Sequence, residues 1–127
     1  MRGVARVLGL SIAGMLLSIV GCGDGSSEGS SDAGATSGEA LYGEHCASCH
    51  GADLRGTSKG PSHLSLVYEP GHHPDESFRA AVRQGVRQHH WDFGDMPAIE
   101  GLSDVEVGRI IAFVRSAQET EGFEPYP

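Results

Sequence analysis

The strongest periodic signal in the chain is Val107, Ile110, Ile111 and Val114, which fall at i, i+3, i+4 and i+7. Together they draw one apolar stripe down a helix, with Phe113 on its edge and Arg109 and Arg115 on the polar side. Ser103-Asp104-Val105-Glu106 immediately ahead is a capping box, and Leu102 with Val107 stands at the positions of a hydrophobic staple. A second helix is predicted from Pro74-Asp75-Glu76 through Phe78, Ala81 and Val82, closed by Gly85. A third is predicted to begin at Thr36-Ser37-Gly38-Glu39, with Thr36 as the capping residue and Glu39 reaching back, and to run through Leu41 and Tyr42 toward Cys46. The stretches from Gly51 to Pro70 and from Val86 to Gly101 follow neither a helical nor an alternating period and are expected to be loops. No stretch alternates, so no strands are expected and the fold class is all-α. Three helices with loops this long bury too little apolar surface to stand alone, so something must sit inside the loops.

Ahead of these elements the pattern changes twice. Residues 1–21 carry Arg2 and Arg6 and then an apolar stretch, Val7 to Val20, interrupted by Gly9, Ser11, Gly14 and Ser18, which is the form of an export signal. It falls short of the about 20 predominantly apolar residues that a membrane span needs, so cleavage is expected over a retained helix. Residues 22–36 are mostly Gly, Ser, Ala and acids, too polar to form a core, and are expected to act as a tether with a reach on the order of 20 Å. The folded domain is assigned to 37–120 and a tail to 121–127.

Composition narrows the partners. The net charge of −8 includes Arg2 and Arg6, and without them it is −10, which argues against nucleic acid and against anionic lipid as direct partners. The acids Asp24, Glu28 and Asp32 lie in the tether and Glu119, Glu121 and Glu124 near the C-terminus, so the charge does not define a docking face.

The candidate chemistry lies in Cys46-Ala47-Ser48-Cys49-His50. Two thiols three positions apart with an imidazole next to the second match what covalent attachment of a c-type haem requires. On a helical turn both sulfurs reach the two vinyl groups of one porphyrin and the histidine meets the iron. The same spacing also suits a zinc half-site or a thioredoxin-type dithiol, so the motif needs context. A zinc site would want a second ligand pair and a dithiol enzyme a βαβ pattern, and neither is visible in the sequence. Nor is there a phosphate-binding glycine loop or a Ser/His/Asp constellation.

The domain resembles a class I c-type cytochrome at four places in the family's order. The Gly38-to-Tyr42 helix leading into the Cys46-to-His50 motif and Gly51 is similar to the family's first helix and haem site. Gly60-Pro61 resembles the loop whose proline carbonyl accepts a hydrogen bond from the proximal histidine, and Gly94-Asp95-Met96-Pro97 the loop that supplies a distal methionine. Ile110-Ile111-Ala112-Phe113-Val114 resembles the last helix, whose aromatic packs across the first. The resemblance implies a small cytochrome c fold of three main helices and long loops around one haem c held through Cys46 and Cys49. It implies His50 and Met96 as iron ligands and Pro61 as the residue that orients His50. His72, His73, His89 and His90 remain competitors for the sixth position, and His63 and Trp91 are further additions to the bare pattern. Trp91 and Tyr42 are candidates to line the porphyrin, and Arg55, Lys59 and Arg87 to pair with its propionates.

Ile19-Val20-Gly21-Cys22 is similar to a bacterial lipobox, which implies a lipid on Cys22; the alternative is an ordinary cleaved signal. Together these readings imply an exported one-electron carrier, anchored to a bacterial membrane through Cys22 and facing the periplasm or cell exterior. It would be a monomer or a complex subunit that meets redox partner proteins of the envelope and has no catalytic residue of its own. The alternatives are a haem enzyme or gas sensor with an open or displaceable distal site, and a subunit fixed in a larger oxidoreductase.

Overall fold

The computed structural model describes residues 35–126. The export signal, Cys22 and nearly all of the tether lie outside the described residues. Within them the fold is helical: α1 Gly38–His45, α2 Ala47–His50, α3 Asp75–Gln84 and α4 Asp104–Glu121, with a 3-10 turn at Leu66–Tyr68. No strand forms among the described residues, only isolated bridges such as Val86 with Met96 and Ser65 with Glu124.

Helix α4 follows from its sequence. The Ser103 side chain accepts from the Glu106 amide while the Glu106 side chain accepts from the Ser103 amide, the reciprocal cap of two otherwise unpaired donors. Val107, Ile110, Ile111 and Val114 are all buried, and Leu102 packs into the same cluster as Val107. Helix α1 crosses it at close range: a Cβ on Gly38 would lie 2.1 Å from the Arg109 carbonyl oxygen, so only glycine allows this approach. The rings of Tyr42 and Phe113 meet over the crossing, 5.4 Å between centroids. The chain then breaks at Cys46, which supplies the first thiol, and resumes as the single turn α2, which carries Cys49 and His50.

Several expectations are corrected. The α1 cap is Ser37, whose side chain accepts from the Ala40 amide, so the box with Thr36 at its head does not form. Ser37 has the extended backbone of a capping residue and reaches the third helical amide first. The expected loop between Gly51 and Pro70 contains the 3-10 turn, capped by the Ser65 hydroxyl, which accepts from Val67. Arg115 does not face water: its side chain is 14 % exposed. It donates to the carbonyls of Tyr68 and His73 at 2.6 Å each and to Asp75 at 2.9 Å, and lies 5.0 Å over the Phe78 ring. Those carbonyls belong to a turn whose own amides cannot satisfy them, so a buried guanidinium with five donors fits there. The residues after Thr120 are held to the domain, since Glu121 ends α4, the Glu124 amide donates to Leu64, and Arg55 pairs with both Glu121 and Glu124.

Candidate functional site

The Cys46-to-His50 turn, the Pro61 loop and the segment around Met96 surround one cleft. It encloses about 980 Å³ including its open mouth, and its wall includes Cys46, His50, Pro61, Phe78, Met96 and Ile110. The lining is mainly apolar with a few ligating atoms, the composition expected where an extended flat cofactor is held.

His50 is buried and its Nδ1 lies 2.9 Å from the Pro61 carbonyl oxygen. Nδ1–H donating to that oxygen leaves Nε2 as the bare lone pair, so the backbone of the Pro61 loop sets the ring's tautomer and direction. Burial pushes the imidazole's pKa down, with the Pro61 hydrogen bond acting the other way, so the neutral, ligating form is held at neutral pH. Gly60 lets the loop come this near, since a Cβ there would sit 3.0 Å from the Cys49 carbonyl oxygen. Cys46 is buried and burial pushes its thiol up to about 11, while Cys49 is half-buried; both are free thiols.

Met96 is placed by backbone pairing. Its amide donates to the Val86 carbonyl and the Val86 amide donates to its own, both at 2.9 Å. Gly85 makes the pairing possible: it has φ 73° and ψ 179°, a conformation open essentially to glycine alone, and a Cβ there would lie 2.5 Å from the Met96 carbonyl oxygen. The turn between the paired residues is tied by the Asp95 carboxylate accepting from the Gln88 amide and the Gln88 side chain accepting from the Gly94 amide.

Of the other candidates, Trp91 lines the cleft and stacks on Tyr68 at 5.9 Å. Tyr42 does not reach it. It is 1 % exposed and its hydroxyl donates to the Gly51 carbonyl at 3.1 Å, behind the motif turn. Arg55 is engaged with the two glutamates at the C-terminus, which answers its expected role with a structural one. His73, His89 and His90 line the mouth of the cleft, with His73 and His90 half-buried. Burial first, and then the neighbouring histidines, lower the proton affinity of both.

His63 is the residue that sequence reasoning passed over. It is buried against His50, with ring centroids 4.1 Å apart and planes at 15°, and its Nδ1 has no hydrogen-bond partner among the described residues. Burial, then His50 and Arg115, push it well below the ordinary histidine range, so it is a neutral packing ring. Its position two residues after Pro61 was the signal available.

The residues fit a haem c. The thiols immediately precede a histidine whose free nitrogen is fixed by its partner hydrogen bond, a thioether borders the same cleft, and the wall is mainly apolar. The rival chemistries lack their surroundings. Among the described residues, the one group of histidine, cysteine and carboxylate side chains near enough to share an ion does not include Cys46 or Cys49, and no βαβ unit is present. Residues 35–118 match the family model for cytochrome c. No curated protein and no solved structure matches the chain.

Proposed function

The chain belongs to the cytochrome c family, and from that premise we propose that it is a one-electron carrier of the bacterial cell envelope, cycling between a donor and an acceptor protein. Membership gives haem-based electron transfer and one haem c attached through Cys46 and Cys49. When bound, the haem supplies a one-electron Fe(III)/Fe(II) couple. The chain's own residues do the rest. His50 would hold the iron through an imidazole nitrogen and Met96 through a thioether, a soft donor that favours reduced iron. The Pro61 carbonyl orients His50, and the apolar wall excludes water, so little around the iron rearranges when the electron moves.

The observation that carries this reading is the pinned backbone of Met96 on the wall shared with His50. It supports a closed distal side, as a carrier needs. The reading includes a lipid on Cys22 and weak, brief docking to envelope partners. Among the described residues no helix is long and apolar enough to cross a membrane.

A second reading has an observation in its favour: His73, His89 and His90 line the same cleft as His50 and Met96. A histidine there lowers the potential, and a displaceable ligand opens the site to small molecules. The two are separated by the near-infrared band of methionine on ferric iron. The carrier reading expects the band in the oxidised wild type, its loss in Met96→Ala, and slow carbon monoxide binding by the reduced protein. An unchanged spectrum in Met96→Ala would overturn it.

A further inference from the structure

Two histidine pairs far apart in sequence, His72-His73 and His89-His90, come together at the cleft mouth. From one ring in each of three positions, the ligating nitrogens of His72, His73 and His90 all lie within 4.8 Å of one another. We propose that these three side chains form a second metal site, separate from the haem, which takes one Zn²⁺ ion with water in the fourth position.

The distances suit zinc. Ligand nitrogens 2.0–2.1 Å from a tetrahedral Zn²⁺ are separated by about 3.3 Å, the edge of the tetrahedron. His72 Nε2 and His90 Nε2 are 3.3 Å apart. At that distance the two Nε2 atoms can share one hydrogen bond, one as donor and one as acceptor, whereas with the protons on Nδ1 both lone pairs are available to a cation between them.

The supports behind the ligands match what metal sites require. His73 Nδ1 lies 2.7 Å from the Val67 carbonyl oxygen, so its N–H donates there and Nε2 is the free atom. The His73 backbone is fixed by the Arg115 guanidinium on its carbonyl and by its own amide donating to Glu69 at 2.8 Å. The His72 amide donates to the same Glu69 carbonyl at 3.0 Å. On the opposite side the Tyr126 hydroxyl donates to the His90 carbonyl, and the Gln88–Asp95 ties hold the turn that carries it. Ligands from two separately anchored segments, with imidazole nitrogen alone as donor, select zinc among the common divalent ions over calcium or magnesium, which prefer oxygen.

His72 is exposed and does not line the haem cleft, whereas His73 and His90 do, so the site lies at the edge of that cleft and uses neither His50 nor Met96. Its effect is mechanical. It joins the segment before α3 to the turn that leads into Met96.

The test uses the purified haem-loaded protein, titrated with ZnCl₂ by calorimetry after chelator treatment. One equivalent is expected to bind, with the haem absorption unchanged and the melting temperature raised. His72→Ala and His90→Ala should each weaken binding by at least the 10–100-fold that loss of a mere supporting hydrogen bond causes at such sites. His45→Ala, a histidine outside the cluster, should bind as the wild type does. X-ray absorption at the zinc edge should give three imidazole nitrogens at 2.0–2.1 Å. The absence of saturable binding, wild-type affinity in either alanine variant, or a zinc-dependent change in the haem spectrum would each overturn the proposal. Haem absorbance per chain, measured on every variant, separates lost ligation from lost folding.

Discussion

At the scale of single residues, His63 is the least conventional choice in the core. A neutral ring is buried with one nitrogen unpaired among the described residues, and such a group costs about 1–3 kcal/mol relative to the same ring in water. His63→Leu removes the polar atom and keeps an apolar side chain on the His50 face. The variant is expected to be more stable by about 1 kcal/mol in denaturant melts, within the 1–3 kcal/mol range for such groups. A loss of stability would show that the ring's stacking on His50 outweighs its stranded nitrogen. The chemical residues were legible because their spacing is itself the chemistry: Cys46, Cys49 and His50 sit on one turn and needed no tertiary information. Arg115 and Tyr42 were not, since their roles depend on carbonyls of Tyr68, His73 and Gly51, contributed by other segments. No local pattern marks which carbonyls a distant turn leaves unpaired.

At the scale of elements, the start and the buried face of α4 were readable because its cap and its stripe agree, whereas its end at Glu121 ran past the assigned domain limit. The start of α1 was misplaced by one residue, because two adjacent hydroxyls offer equivalent caps and the Gly38 contact with α4 decides between them. The Val86–Met96 pairing left no periodic trace, being one residue wide. Gly85 is its hidden determinant. Gly85→Ala forces a side chain into a glycine-only conformation against the Met96 carbonyl, at about 1–3 kcal/mol. The variant is expected to melt lower and to lose part of its methionine-to-iron band; an intact band would show that the pairing does not position Met96. The cap of α4 has a pH signature. Hydrogen bonds from the Ser103 hydroxyl and amide hold the Glu106 carboxyl below its usual 4.5. Its folded pKa being the lower one, the cap's contribution is complete above about 4.5, the unfolded value, and fades as pH falls through the folded pKa. Glu106→Gln should therefore destabilise at pH 7 and approach the wild type near pH 3, read from melting temperatures at the two values.

At the scale of the whole molecule, the buried residues divide into two clusters: one around Leu41, Tyr42, Leu64 and Val114, the other Val82, Val107 and Ile111. The cleft runs between them, lined by Cys46 and Ile110 of the first and by all three residues of the second. A domain of this size, described over residues 35–126, buries a modest share of its surface, so its stability rests on joining those clusters. A rigid apolar ring system in the cleft makes dispersion contacts with the walls that both clusters contribute. The haem is then as much core as cofactor. The loops from 51 to 74 and 85 to 102, which have little periodicity of their own, fold because each contributes wall to that space. It follows that the Cys46→Ser, Cys49→Ser double variant, which cannot attach haem covalently, should lose more than the two thiols. Purified free of haem, it is expected to melt without a cooperative transition and to show a far-ultraviolet helical signal below half that of the wild type. Helix α3 should suffer most, because its packing on α4 is thin beside the α1–α4 crossing and its Phe78, Ala81 and Val82 line the cleft. A sharp transition near the wild-type temperature would mean that the helix crossing alone specifies the fold and that the haem merely occupies a space already closed.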